Sequence, residues 1–415
     1  MSRRLVIAAT AVLASLVPAC DAAGETLTVS PRGRLRSLAE AVRVAAPGDR
    51  IVVTAGTYRE PPILVDRPMT IEGEGRPRIE ATAPATLIRV TADDVTLRGL
   101  VLADVPASHV EDRAAVRFEH VRRCVADRLE ISRAPFGLYL SDSSECRLTG
   151  NVVHGAGAGA RPLGNAIHLW STTHTTVTDN VVTDHRDGLY FEFVQDTTIA
   201  RNTSTRNARY GLHFMFSHRC VYTDNTFRRN GAGVAVMYTR EVTMTRNVFD
   251  DNRGPSAYGL LLKDISDSRL EANHFGDNTV GLLIEGGGRL AVVANRFTGN
   301  GWAVKLMANS SDDRLEGNVF ERNAFDLATN SRSTAATVTG NWWDRYRGYD
   351  LDRDGRGDVP FRPVRLFSLI VASHPPAIIV MRSAFVDLLD AAERALPVLT
   401  PETLVDVRPL MGVPR

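Results

Sequence analysis

The chain has 415 residues, 44% of them hydrophobic, and its 49 basic against 48 acidic side chains leave a formal net charge of +1. That balance offers no basic field to a nucleic-acid backbone, which excludes nucleic acid as a partner. The length would hold two or three ordinary domains, but a repeat runs through most of it and points to one elongated solenoid with caps.

The first residues, MSRRLVIAATAVLASLVPAC, open with arginines, run apolar from Leu5 to Val17 and end among small side chains. This pattern predicts a secretory signal over residues 1–23 and an exported mature protein. The stretch Val17 to Cys20 is also similar to a bacterial lipobox, so membrane anchoring as a lipoprotein through Cys20 is a second expectation. No later run is long and apolar enough to span a bilayer. The nearest, Leu366 to Met381, is broken by His374-Pro375-Pro376.

Residues 24–49 read as an N-terminal cap, because LRSLAEAVRVAA (Leu35 to Ala46) spaces its apolar residues as a helix does and Pro47-Gly48-Asp49 stops it. From Arg50 the segments DRIVVTAGTY, RPMTIEGEG and DDVTLRGLVLAD alternate as strands. Cys124 and Cys146 lie 22 residues apart, one coil, where adjacent parallel strands would bring their Cα atoms within disulfide reach. Two small residues in a column that elsewhere holds Thr175, Thr197 and Ser268 fit the same spacing. Cys220, three coils beyond Cys146, cannot join them in a metal cluster.

Nine asparagines then set the period: Asn151, Asn180, Asn202, Asn225, Asn247, Asn273, Asn295, Asn318 and Asn341 follow at intervals of 29, 22, 23, 22, 26, 22, 23 and 23. Two residues after each comes a mostly apolar column that ends Phe227, Phe249, Phe275, Phe297, Phe320 and Trp343. A second strand in each repeat opens on a small residue and alternates, as in GLYFEF, GLHFMF and GVAVMY. Period-two alternation in a repeat of about 22–23 residues is one coil of an all-β, right-handed parallel β-helix, expected over 50–345. The leucine-rich alternative lacks LxxLxLxxN and has no room for a helix between strands. The asparagines are expected to stack as a structural ladder at turns, tolerating left-handed φ. Gly155 to Gly159 should protrude as a loop, since no helix start follows it to make a phosphate cradle.

Along the strand that opens with Gly, inward positions are apolar: Leu189, Phe191, Leu212, Phe214, Val234 and Val236. The outward positions carry His168, Tyr190 and His213 in one column, and Trp170, Glu192, Met215 and Met237 in the next. Met215 and Met237 should be neighbours one coil apart. Thioether with imidazole suits Cu(I), so His213, Met215 and Met237, with His168 and Glu192 nearby, form a candidate copper site. A docking patch for another protein is the competing reading of the same stripe. His185 and His218 lie near it and rank second.

Residues 346–415 are expected to hold an Asp-rich loop and a tail. Asp350, Asp352, Asp354 and Asp358 fall at positions 1, 3, 5 and 9 of an EF-hand-like Ca²⁺ loop with Gly355 at position 6, although Phe361 stands at position 12 where Glu is needed. A self-hydrogen-bonded turn is the alternative. SAFVDLLDAAERAL (Ser383 to Leu396) reads as an amphipathic helix that caps the open solenoid end or docks on a partner.

GNWWDRYRGYDLDRDGRGDVPFRP after the asparagine repeats, PGDRIVVTAGTY near the start and AERALPVLTPETLVDVRPLM near the end together resemble the NosD family of nitrous oxide reductase maturation proteins. The resemblance covers nearly the whole chain after the signal, and the ordered combination is its specific part. It implies a periplasmic β-helix protein that assists copper-centre assembly in nitrous oxide reductase and is not itself an enzyme. It further implies an ABC-type ATPase with its membrane permease and a copper-chaperone lipoprotein as partners, with membrane contact made through them. HFMF (His213 to Phe216) and VMYT (Val236 to Thr239) resemble segments of that family, whereas His168 stands where relatives tend to have Tyr. The alternative is a secreted polysaccharide lyase, hydrolase or epimerase, which would need paired carboxylates, or a base with Arg, in a groove. Asp187, Glu192, His185 and Arg186 are its local candidates.

Overall fold

Each coil is built from three short strands, exemplified by Asp187–Glu192, Thr198–Ala200 and Thr203–Thr205. Each strand pairs in parallel with its counterpart one coil on, as Leu189 does with Leu212, Ile199 with Tyr222 and Ser204 with Phe227. Two strands per coil join a 26-stranded sheet and the third builds a 13-stranded one, so the parallel β-solenoid has about 13 turns. This computed structural model describes residues 24–155, 164–307, 309–330, 335–380, 383–396 and 404–414. The signal segment with Cys20 and most of the glycine-rich loop lie outside them.

The interior follows the sequence period. Phe227, Phe249, Phe275, Phe297, Phe320 and Trp343 stack with centroids 4.1 to 5.7 Å apart, all buried. The asparagines form a hydrogen-bonded ladder beside them. Asn202 donates its backbone N–H and one Nδ2–H to Asn225 Oδ1, each at 2.9 Å, and the other Nδ2–H to Val177 O at 2.8 Å. Their conformation differs from the expectation, because the left-handed residue is the one before each asparagine: Asp179 (φ 59°), Arg201 (53°), Asp224 (55°) and Arg246 (53°). The asparagine itself points inward, where burial demands that all its polar atoms be paired. A second ladder, Asn207, Asn230, Asn252, Asn278, Asn300 and Asn323, runs five residues after the first and closes the other tight corner.

The solenoid starts earlier than Arg50. Thr26–Val29 pairs with Arg50–Val53, and helix α1 (Leu38–Val44) is inserted between the two strands, burying Leu38, Ala41 and Val42 over the core. Its N-terminus is held by Ser37 and by Glu60, whose Oε1 accepts from Leu38 N at 2.6 Å. Cys124 and Cys146 form a disulfide between coils, with Cα atoms 4.6 Å apart. Cys220 is free and buried, and burial pushes its thiol up to about 12.

At the far end, the expected helix exists but does not cap. Helix α2 (Leu366–Ser373) and helix α3 (Ala384–Ala395) lie back against the outward side of the last coils. There Phe367, Val371 and Val386 bury Leu261, Val280, Trp302, Phe325 and Ala328. The end is closed instead by the segment around Asp406 and Leu410, which bridges in parallel to Val338 and Trp342. The reason is chemical: the last asparagine needs an acceptor, which a backbone-satisfied helix does not provide.

Candidate functional site

The outward face of the long strands carries two columns in register. One runs Arg117, Tyr139, His168, Tyr190, His213 and Ala235; the other runs Ser141, Trp170, Glu192, Met215, Met237 and Lys263. Alternation along each strand places them outward, because the residues between, such as Leu189 and Phe191, fill the core.

The first column is a stack of rings. Arg117 lies 4.2 Å over Tyr139, Tyr139 and His168 stack at 4.2 Å, and His168 and Tyr190 stack at 4.7 Å. His213 meets Tyr190 edge-on at 5.1 Å and Tyr210 at 4.8 Å. Outward therefore does not mean open: His168 is 9% exposed and His213 8%. Burial, with Arg186 and Arg117 beside His168 and Arg209 beside His213, lowers the two imidazoles to about 3 and about 4. Both stay neutral, as a metal ligand must.

Their hydrogen bonds decide which nitrogen is available. Arg209 donates to His213 Nδ1 at 3.3 Å, so the proton of the neutral ring sits on Nε2. Arg186 donates to Asn165 Oδ1 at 3.2 Å, which turns the Asn165 amide nitrogen to His168 Nδ1 at 3.0 Å and fixes the same tautomer there. Arg209 is itself held by Asp187, with Nε to Oδ1 at 2.9 Å, and that carboxylate is fully buried. Tyr190 donates to Glu192 at 2.9 Å.

Among the residues singled out from the sequence, Met215 and Met237 are direct register partners, both half-buried. His213 and Glu192 share their strands or rungs, but each is committed to a neighbour. His168 is three rungs from Met237, about 14 Å at the usual spacing of paired strands, and so cannot share an ion with it. His185 is fully buried at the head of the second asparagine ladder, where its backbone N–H donates to Asn207. His218 sits in the turn column between Gln195 and Arg240.

In the Asp-rich loop, carboxylate oxygens of Asp350, Asp352 and Asp354 lie within 4.8 Å of one another. They are used internally. Asp350 accepts from Asp354 N and Gly355 N, Asp354 from Arg356 N, and Asp358 from Leu351 N, at 2.7 to 3.2 Å. Arg408 pairs with Asp354 and supplies the counter-charge. At position 12, Phe361 packs on Trp343 and Tyr346. These hydrogen bonds are those of a self-hydrogen-bonded turn.

Two features of the face had no part in the sequence reading. Exposed Phe193, Phe216 and Tyr238 line the turn beside the methionines, and the tail covers the face from Ala235 onward, with Met237 partly packed against it. The turn aromatics were visible as the last letters of GLYFEF, GLHFMF and GVAVMY. Nothing in local sequence said that the apolar outward residues Ala235, Leu261 and Leu283 lie under a distant helix.

A family model described as NosD, periplasmic copper-binding protein, matches residues 157–348. A relative from Stutzerimonas stutzeri named "Probable ABC transporter binding protein NosD" is 27% identical over 384 residues, covering 87% of this chain and 86% of its own. A relative of the same name from Pseudomonas aeruginosa is 29% identical over 391 residues, covering 89% and 90%. Among solved structures, the mannuronan C-5 epimerase AlgE6 A-module of Azotobacter vinelandii superposes with a TM-score of 0.61 at 15% identity, covering 73% of this chain and 92% of that one. The catalytic domain of a GH87 α-1,3-glucanase gives 0.54 at 11%, covering 77% and 69%. At such identities these likenesses show the β-helix fold and nothing about chemistry. The family model and the two near-full-length relatives agree with the motifs and the solenoid: the chain is similar to NosD proteins over most of its length.

Proposed function

We propose that this protein is an exported, copper-handling accessory factor that works with an ABC-type ATPase and permease and serves copper-centre assembly in nitrous oxide reductase. In this reading it receives Cu(I) from a copper-chaperone lipoprotein and passes it on. The family description as periplasmic copper-binding supports the copper part, and the relatives' name supports an ABC transporter as partner. No helix among the described residues is long and apolar enough to cross a membrane; in this reading, membrane contact comes through the partner.

The observation that carries the reading is the pairing of Met215 with Met237 on neighbouring strands. Two half-buried thioethers on neighbouring strands are soft donors without charge, which favours Cu(I) over Zn²⁺ or Ca²⁺ and leaves the ion free to depart. Glu192 and His213 flank the pair. The test is Cu(I) titration of the purified protein and of Met215→Leu/Met237→Leu, a nearly volume-conserving change that should cost less than about 1.5 kcal/mol per site in stability. Loss of Cu(I) affinity with an unchanged melting curve is expected. Wild-type affinity in the double variant would end the reading.

Glycan cleavage fits the same face poorly. A catalytic carboxylate must be free to take or give a proton, yet Asp187 is locked to Arg209 and Glu192 to the Tyr190 hydroxyl.

A further inference from the structure

The turn that follows the methionine column is left-handed in every coil from His120 to Gly286, and its occupants change character in the middle. The column reads His120, Asp142, Ser171, Phe193, Phe216, Tyr238, Asp264 and Gly286, with φ of 55°, 48°, 53°, 56°, 47°, 54°, 49° and 78°. Asp and Gly tolerate this conformation, whereas a bulky side chain there is strained by about 1–3 kcal/mol. Burial does not offset the strain, since Phe193, Phe216 and Tyr238 are 45%, 39% and 42% exposed. The rings stack on one another at 5.4 and 5.0 Å, tilted by 13° and 11°, so their edges form a continuous apolar ridge. The ridge occupies the coils that carry Glu192, Met215 and Met237, and there alone does this column hold consecutive aromatics.

The neighbouring donors say what should sit on it. His213 is turned to Arg209 and enclosed by Tyr190 and Tyr210, and Glu192 is a hard ligand already bonded to a tyrosine. Among the described residues Met215 and Met237 therefore have no free soft partner beside them on this face, and a Cu(I) ion held there keeps its outer side open. We infer that Phe193, Phe216 and Tyr238 are a docking ridge for a protein partner whose apolar loop carries a thioether or imidazole, and that this loop completes the coordination begun by Met215 and Met237. The inference rests on the copper reading above for its second half, while the ridge stands on the turn geometry. Continuity with the tail interface, through Met237, extends the apolar surface on the C-terminal side.

The probe is a synthetic peptide of Leu and Ile with a central Met-Ser-Met, compared with its Ser-for-Met counterpart, by fluorescence anisotropy under reducing conditions with and without Cu(I). Wild-type protein should bind the methionine peptide at least tenfold more tightly with Cu(I). Phe193→Ser/Phe216→Ser/Tyr238→Ser places at each position the residue that Ser171 already carries in this turn, so it should fold; Phe216→Ser alone serves if it does not. The ridge variant should weaken peptide binding at least tenfold and leave Cu(I) affinity without peptide unchanged. Equal peptide binding by the variant overturns the ridge, as does a concentration-dependent dimer that the variant abolishes, because the occupant is then a second copy. Cu(I)-independent peptide binding by the wild type overturns the shared coordination. Failure of Cu(I) titration without peptide belongs to the copper reading, so the two failures are separable.

Discussion

Asp406 sits on the rung that a tenth asparagine would occupy. It accepts from Gly340 N at 2.9 Å, from Asn341 N at 2.9 Å, from Asn341 Nδ2 at 3.1 Å and from Trp343 Nε1 at 3.0 Å, and it is fully buried. An asparagine ladder passes N–H donors toward its C-terminal end, so its last member needs an acceptor that brings no N–H of its own. A carboxylate meets that need. The second ladder ends the same way, Asn323 donating to Asp326, whose carboxyl burial pushes to about 6. Asp406→Asn should then cost about 1–3 kcal/mol through the unpaired amide it introduces, read as faster amide exchange in the last coils. A change under about 0.5 kcal/mol, the level of an ordinary surface substitution, would show that water replaces the cap. At the same scale, His168 is neutral when folded and gains a proton near pH 6.5 when unfolded, so its contribution to stability is complete above pH 6.5 and lost as pH falls toward about 3. Asp313 and Asp326, raised to about 6, act in the opposite direction. The comparison that isolates the histidine is His168→Phe, which keeps the stack with Tyr139 and Tyr190. Its stability should vary with pH between 6.5 and 4 by about one proton less than wild type.

Among the described residues, helices α2 and α3 bury one side against the solenoid and leave another apolar side exposed. Phe367, Val371 and Val386 pack on the solenoid, while Phe385 and Leu388 on α3 stay 58% and 70% exposed, as does Ile379 between the helices at 89%. That exposed apolar side is the part of the tail suited to a membrane partner, in line with the proposed transporter contact. Phe367→Ala should loosen this layer without unfolding the coils: amide exchange in α2 and α3 should accelerate and dye binding to Leu261, Val280 and Phe325 should rise, while exchange in the strands around Asn202 and Asn225 stays slow. Acceleration throughout would mean that the tail is part of the cooperative core. The sequence made α3 readable, since Ser383 to Leu396 has helical spacing and the helix spans Ala384–Ala395. Its position was not, because period-two alternation distinguishes inward from outward but not covered from open. For the same reason the Met215 and Met237 pairing could be read from coil spacing, while the enclosure of His168 and His213 between tyrosines could not. The second asparagine ladder was readable at five residues after the first, but its members stand outside the column that fixed the period.

A solenoid of about 13 coils couples each turn to its neighbours and to little else, so its stability is close to a chain of nearest-neighbour interfaces. This chain fastens its ends by different means: α1 and the Cys124–Cys146 disulfide toward the N-terminus, Asp406 and the helical tail at the C-terminus. The disulfide closes a 22-residue separation, for which loop-closure entropy gives about 3 kcal/mol. In a globular domain that sum would be shared by the whole fold. Here it should act locally. In Cys124→Ser/Cys146→Ser, hydrogen exchange should speed up in the strands Ala114–Glu119, Phe136–Ser141 and Arg147–Thr149, and remain at wild-type rates in Ala291–Val293 and Val319–Glu321. Asp406→Asn should give the mirror image. The face with Met215 and Met237 lies between the two fastened ends, and the same argument predicts that it keeps its register in either variant, so Cu(I) affinity should not follow the melting temperature. Uniform loss of protection from either end would instead make the solenoid one cooperative unit, and copper affinity should then fall with stability.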